Sequence, residues 1–181
     1  MAVLVEGISV IILAESLIEK FTDDWEGFKA IVPNQTLCAD QEIVRVGFQV
    51  PDDVESFIKE LETYGLVFLE DDESVDIAVA DQLSGLTKKC QWLKFGHAEI
   101  NDNGDKVAAC WLKGSKSKRI FFPIGWTYEK SLSASFAYVP NEHLQKAIKF
   151  LRHENGIDVY LNPLTGKEYF VGRTDNSSLY K

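Results

Sequence analysis

The sequence is poor in the residues that mark many specialised proteins. It has three cysteines in 181 residues, Cys38, Cys90 and Cys110. An odd number at wide spacings does not make a disulfide framework, and without a C-x-x-C pair no turn offers two zinc ligands. The three histidines, His97, His143 and His153, lack the i, i+4 spacing of a helical zinc pair. The expectation is buried thiols in a reducing compartment, with no metal and no other cofactor. No G-x-G-x-x-G, Walker A or G-x-S-x-G occurs, so the common phosphate loops and the nucleophile elbow are missing. Twelve Gly and five Pro are too few for a fibrous or low-complexity chain. No apolar run approaches the ~20 residues of a membrane span. No base precedes Lys20, so the positive region of a secretory signal is missing as well. A cytoplasmic protein with no membrane association is expected.

Bases are scarce in one half only. Residues 1–86 hold four bases (Lys20, Lys29, Arg45, Lys59) against nineteen acids, a balance of −15. Residues 87–181 hold fifteen bases against nine acids, a balance of +6. The total of −9 repels phosphate backbones, which excludes nucleic acid as the expected partner. The halves either attract each other within one folded unit or leave an acidic face for a basic partner.

What is present is core material: 45% hydrophobic residues and 12% aromatics, including four Trp. Residues 7–13 are short, β-branched and apolar, as in a strand buried on both faces. Leu13, Leu17, Ile18 and Phe21 then follow at helical spacing. Asp23 and Glu26 resemble a capping box ahead of a second helix that buries Trp25 and Phe28. Val44, Val46, Phe48 and Val50 alternate with polar or small residues as a half-buried strand. Pro51 suits a first helical position, and Val54, Phe57, Ile58 and Leu61 share one helical face that ends at Gly65. Strands are expected at 66–69 and 75–80. The order β-α-β-α-β suggests an α+β sandwich of ferredoxin-like type.

Beyond residue 90 the pattern is β-rich. Asn103-Gly104 between 92–100 and 106–112 is a strong hairpin signal. Further strands are expected at 120–126 and 131–139. Asn141 opens an expected C-terminal helix with an apolar face of Leu144, Ala147, Ile148 and Leu151. A final hairpin should pair 157–161 with 168–171. The chain reads as one unit over 1–181 with two lobes, an acidic α+β lobe at 1–80 and a basic β-rich lobe at 91–181.

Two functional readings follow. The first is a non-enzymatic protein that sequesters or inhibits a basic protein. Its expected contact residues are the acid run Glu70, Asp71, Asp72 and Glu73, together with Asp76 and Asp81. Acidic clusters of this kind speed association with a basic partner and make it salt-sensitive. In size and charge the chain resembles bacterial immunity proteins, which block a toxin's active site. That resemblance is one of profile and assigns no residues. The second reading is a small-molecule binder or enzyme with a cleft near 81–110, lined by Asp81, Gln82, Trp92, His97 and Cys110. Here Cys110 and His97 would lie across the Asn103-Gly104 hairpin as a thiol–imidazole pair. A homodimer formed through a sheet edge is a further option.

Overall fold

Two short apolar runs at the start of the chain lay out the architecture. The first is β1 (Ala2–Val5) and the second β2 (Ile8–Leu13), separated by Glu6-Gly7. The structure, a computed structural model, describes residues 1–21, 24–117, 119–135, 149–154, 157–161 and 168–172. After β2 come α1 (Ala14–Lys20), α2 (Asp24–Ile31), β3 (Cys38–Ala39), β4 (Ile43–Phe48) and α3 (Pro51–Thr63). The chain continues through β5 (Leu69–Glu70), β6 (Glu73–Ser74), β7 (Ile77–Asp81), β8 (Gly85–Leu86) and β9 (Lys89–Cys90). Next are β10 (Leu93–Glu99), β11 (Lys106–Leu112), β12 (Ile120–Phe121), a 3-10 turn (Tyr128–Lys130) and α4 (Leu132–Ser135). The last elements are β13 (Lys149–Glu154), β14 (Ile157–Leu161) and β15 (Glu168–Gly172).

The protein is mixed α+β with several sheets, and the described residues form no closed barrel. A five-stranded sheet runs β3-β4-β2-β7-β8 and a four-stranded sheet runs β10-β11-β1-β12. Strand alternation sorts the side chains between two cores. Ile8, Val10 and Ile12 of β2, with Val44, Val46, Ile77 and Val79, meet Leu17, Phe28, Val54, Phe57, Ile58 and Leu61 of the helices. The opposite face of the same sheet supplies Ile11, Ile43, Ala78 and Ala80. These pack on Val3, Val5, Leu93, Ala108 and Cys110 of the four-stranded sheet. Helices, five-stranded sheet and four-stranded sheet therefore stack as three layers. The β-branched run of β2 is buried on both faces because it lies in the middle one.

Glu6-Gly7 carries the chain from one sheet into the other. Gly7 adopts φ +57°, and a Cβ there would stand 2.5 Å from the Phe48 carbonyl oxygen. Gln82 fixes this corner from the side: its Oε1 accepts the Gly7 N–H at 2.9 Å, and its own N–H donates to the Gly7 carbonyl at 2.8 Å. Arg45, 2% exposed, fills the space between the sheets. Its Nε donates to Ser9 Oγ, and its two terminal nitrogens donate to the carbonyls of Thr36 and Glu6, each at 3.0 Å. Gly47 lies directly beneath the guanidinium, where any Cβ would collide with it.

The helix–strand order read from 7–81 is present, but its strand order is not the split β-α-β of a ferredoxin-like layer. β4 and β7 both lie directly beside β2, antiparallel to it. The strand expected at 66–69 is reduced to Leu69–Glu70, which joins β6 and β9 in a small separate sheet. The partner of β2 is instead Ile77–Asp81. The proposed division at 81–90 is crossed by β1, which is hydrogen-bonded between β11 and β12.

The β10–β11 hairpin forms around Asn101–Asp105, with Gly104 at φ +80°. The strand expected at 120–126 stops at Phe121, because Pro123 cannot extend a ladder and residues 123–126 turn instead. Residues expected as a strand at 131–139 begin as helix α4. Ser131 caps it by accepting the Ala134 N–H at 3.1 Å, and 136–139 lie outside the described residues. Of the expected helix at 141–151, residues 141–148 lie outside the described residues. Leu151 sits in strand β13, where pairing with β14 has overridden helical spacing. Asp23 of the expected capping box also lies outside them. β14 and β15 pair as the expected hairpin, with Leu161 opposite Glu168.

Gly7→Ala tests the corner. It is expected to cost at least about 2 kcal/mol in urea unfolding, because both the positive φ and the Phe48 carbonyl resist a side chain.

Candidate functional site

The acid run expected to meet a partner is built largely into the frame. Asp71 and Asp72 sit at φ 50° and 66° at the tip of the β5–β6 hairpin, a turn that needs positive φ at both central residues. Asp72 pairs with Lys88 at 2.5 Å, and Glu73 pairs with Lys89. Those contacts hold the Glu73 carboxyl below its usual range, the Lys89 bond first and Gln91 second. Glu70 and Asp71 remain exposed.

Asp76 and Asp81 are each 6% exposed and face inward. Asp81 Oδ1 accepts the N–H groups of Leu83 and Ser84, both at 2.8 Å, and shapes the turn after β7. Asp76 ties α1 to the chain around β7. It accepts from Lys20 Nζ at 2.6 Å, Ser16 Oγ at 2.6 Å and the Val67 N–H at 2.7 Å. Burial pushes its carboxyl up, but these donors outweigh burial and hold it below the ordinary aspartate range.

The expected cleft residues do not converge. Gln82 is buried and occupied with Gly7. Trp92 is half-buried, and its indole N–H is enclosed without an acceptor. Cys110 is fully buried between the sheets opposite Phe95, whereas His97 lies opposite Ala108. Cys110 and His97 thus share a face but are two residues out of register. Burial raises the Cys110 thiol well above its ordinary pKa, so it stays protonated. Burial first, and Lys106 second, lowers the His97 pKa. Cys38 lies beside Arg45, but burial outweighs the guanidinium and raises its pKa too. These are features of inert thiols rather than nucleophiles.

The helical layer presents a different surface. Helical spacing places Ile18 and Trp25 in the core, yet they are 66% and 38% exposed. Tyr64 at the end of α3 is 37% exposed and Val67 38%. The rings form a continuous series. Trp25 packs on Phe28 at 5.5 Å, Phe28 meets Phe21 edge-on at 5.7 Å, and Phe21 stacks on Tyr64 at 4.2 Å. An aromatic strip therefore crosses from α2 to the end of α3, its inner rings buried and its outer rings in solvent.

Carboxylates without a basic partner among the described residues lie on the same helical layer. The lysines of the three helices are already engaged, Lys20 with Asp76, Lys29 with Glu26 and Lys59 with Glu55, each at 2.6 Å. Glu15 and Glu19 of α1 and Asp52, Asp53, Glu60 and Glu62 of α3 are exposed and form no ion pair among the described residues. Part of the negative excess of the first half is thus displayed on α1 and α3, in the same layer as the exposed rings. Sequence reasoning missed this surface because the same apolar spacing reads as core.

Comparison with protein-family models, curated proteins and solved structures finds no match to this chain. No helix among the described residues is long and apolar enough to cross a membrane.

Asp76 gives a pH test. Its folded-state carboxyl is held below the ordinary value of about 3.9, so its contribution to stability is present above that pH and lost on acidification. Asp76→Asn is expected to be less stable than the parent at pH 7. The gap should narrow as the pH falls below about 4 in denaturant titrations. A gap independent of pH would show that the carboxylate charge is not what ties α1 down.

Proposed function

We propose that the protein is a non-enzymatic binding protein that sequesters or inhibits a basic protein partner, as an immunity protein does. The contact face is the helical layer. The observation that supports this reading is the aromatic strip through Trp25 and Tyr64, on a helical layer that carries six exposed carboxylates with no ion pair among the described residues. Protein interfaces commonly bury an aromatic centre inside a polar rim, and a rim of one sign selects the opposite sign and speeds encounter. A basic protein carrying an apolar anchor matches both parts. The acid run 70–73 would add only long-range attraction, because two of its four carboxylates already serve Lys88 and Lys89.

The test is affinity capture with three baits: the parent, a Glu19→Lys/Glu62→Lys double variant, and Trp25→Ala. A stoichiometric basic protein should be retained by the parent and released by salt. The charge-reversed bait should lose it at least tenfold, chiefly through slower association, and Trp25→Ala should lose it chiefly through faster dissociation. All three substitutions are at exposed positions, so folding checked by circular dichroism should be unchanged. Equal retention by parent and double variant would overturn the assignment of this face.

A further inference from the structure

A cavity opens at the start of α3, at the opposite end of that helix from Tyr64. It measures about 660 Å³ and opens between the 34–36 loop, the β4–α3 turn and residues 123–132. That volume suits a small ligand. Two cations line it, Arg45 and Lys130. Arg45 is enclosed and donates only to neutral oxygens and to the Cys38 thiol. Lys130 is exposed at the opening and forms no ion pair among the described residues.

The two carboxylates that line the same cavity form no hydrogen bond or ion pair with these cations among the described residues, although the Glu6 charge supports Arg45 from nearby. Glu6 is occupied by neutral donors: the Ser133 N–H at 2.9 Å, the Ser133 hydroxyl at 2.6 Å and the Trp126 indole N–H at 3.1 Å. Asp53 is exposed in the first turn of α3, where the positive end of the helix dipole favours it. The remaining wall is mixed: the 34–36 loop, Gln49 and Thr127 supply polar groups, and an apolar part faces them. Trp126, braced by Phe122 at 4.3 Å, joins Leu132 and Phe48 there.

We propose that this cavity binds a small organic carboxylate with an apolar or aromatic body. The carboxylate lies toward Lys130 and Arg45, and the body lies against Trp126 and Leu132. A guanidinium enclosed without a contacting carboxylate gains from an anion brought close in a low-dielectric setting, and the apolar wall gains from being covered. A cationic ligand would meet Arg45 and Lys130, with the Glu6 carboxylate already bonded and the exposed Asp53 left as its one attraction among the described residues. A bare phosphate would leave the Trp126 wall uncovered.

The experiment is a nuclear magnetic resonance titration that follows the Trp126 indole N–H and the Leu132 methyls. The probes are phenylacetate, indole-3-acetate and octanoate, each paired with its neutral amide, with benzylamine and inorganic phosphate alongside. At least one carboxylate should give saturable shifts at both residues and bind about tenfold more tightly than its amide. Lys130→Ala should weaken it about fivefold, and Lys130→Arg should largely restore it. Lys130 is exposed and unpaired, so the variants should fold as the parent does. The proposal is overturned if amides or benzylamine bind as well as the carboxylates, if phosphate alone accounts for the shifts, or if the shifts lie elsewhere. It is equally overturned if no carboxylate saturates at concentrations of about 10 mM.

Discussion

Arg45 is the constraint on which the rest of the structure depends. It projects from the middle layer into the space between two sheets, where an aliphatic side chain would ordinarily sit. Its bonds reach Ser9 on β2, the Glu6 carbonyl at the sheet-to-sheet corner and the Thr36 carbonyl of the loop before β3. One side chain thereby fixes the exit of β1, the start of β2 and the approach to β3. Taking a guanidinium out of water costs on the order of several kcal/mol, so the arrangement holds only if its donors are met with good geometry. Gly47 is small because the guanidinium lies over it, and Gly7 is bent because β1 must leave one sheet for the other. Glu6 extends the network outward: its carbonyl serves Arg45, while its carboxylate anchors Trp126 and the start of α4.

The charge asymmetry of the sequence divides in the structure into two populations. Some acids are structural. Asp76 pins α1, Asp81 shapes a turn, and Asp72 and Glu73 hold lysines that follow β8. Through those last pairs the acidic half does attract the basic half, at a short sheet where β6 runs parallel to β9. Others, Glu15 and Glu19 of α1 and Asp52, Asp53, Glu60 and Glu62 of α3, form no ion pair among the described residues, the lysines of those helices being engaged elsewhere. The −15 and +6 balance is therefore met within the fold at some residues and left in solvent at others.

Much of the fold was legible because period and burial agreed. The α3 face with its Gly65 stop and the Asn103-Gly104 hairpin each depend on local chemistry that tertiary contacts reinforce, whereas the 44–50 alternation marks a strand but not a half-buried one, since β4 ends at Phe48 and Arg45 and Gly47 are buried as well. Strand order was not legible. Nothing in residues 66–81 shows that 69–70 pairs with 73–74 while 77–81 crosses to β2, because the runs 66–69 and 77–80 are equally short and apolar. The segment after Phe121 was misread because Ser131 looks like the start of a strand until its hydroxyl is seen capping a turn. For the site, acid density pointed to 70–73, but density does not show which carboxylates are already bonded. His97 and Cys110 were placed on the right hairpin, yet the two-residue offset between them and the burial of the thiol depend on how the sheets stack.

Ile18, Trp25 and Tyr64 carry the strongest argument about function, since a helical pattern alone would bury the first two. They stay out because the layer beneath is already filled. Leu17, Phe21, Phe28 and Leu61 occupy the sheet-facing positions, and the outer rings can only stack on them from above. Exposed apolar surface of this kind lowers solubility unless something counters it, and the six unpaired carboxylates do so through repulsion between copies of the chain. The same repulsion argues against self-association through this face. A partner that removes the strip from water would have to bring positive charge with it, and that requirement is why a basic protein is the occupant proposed for this face.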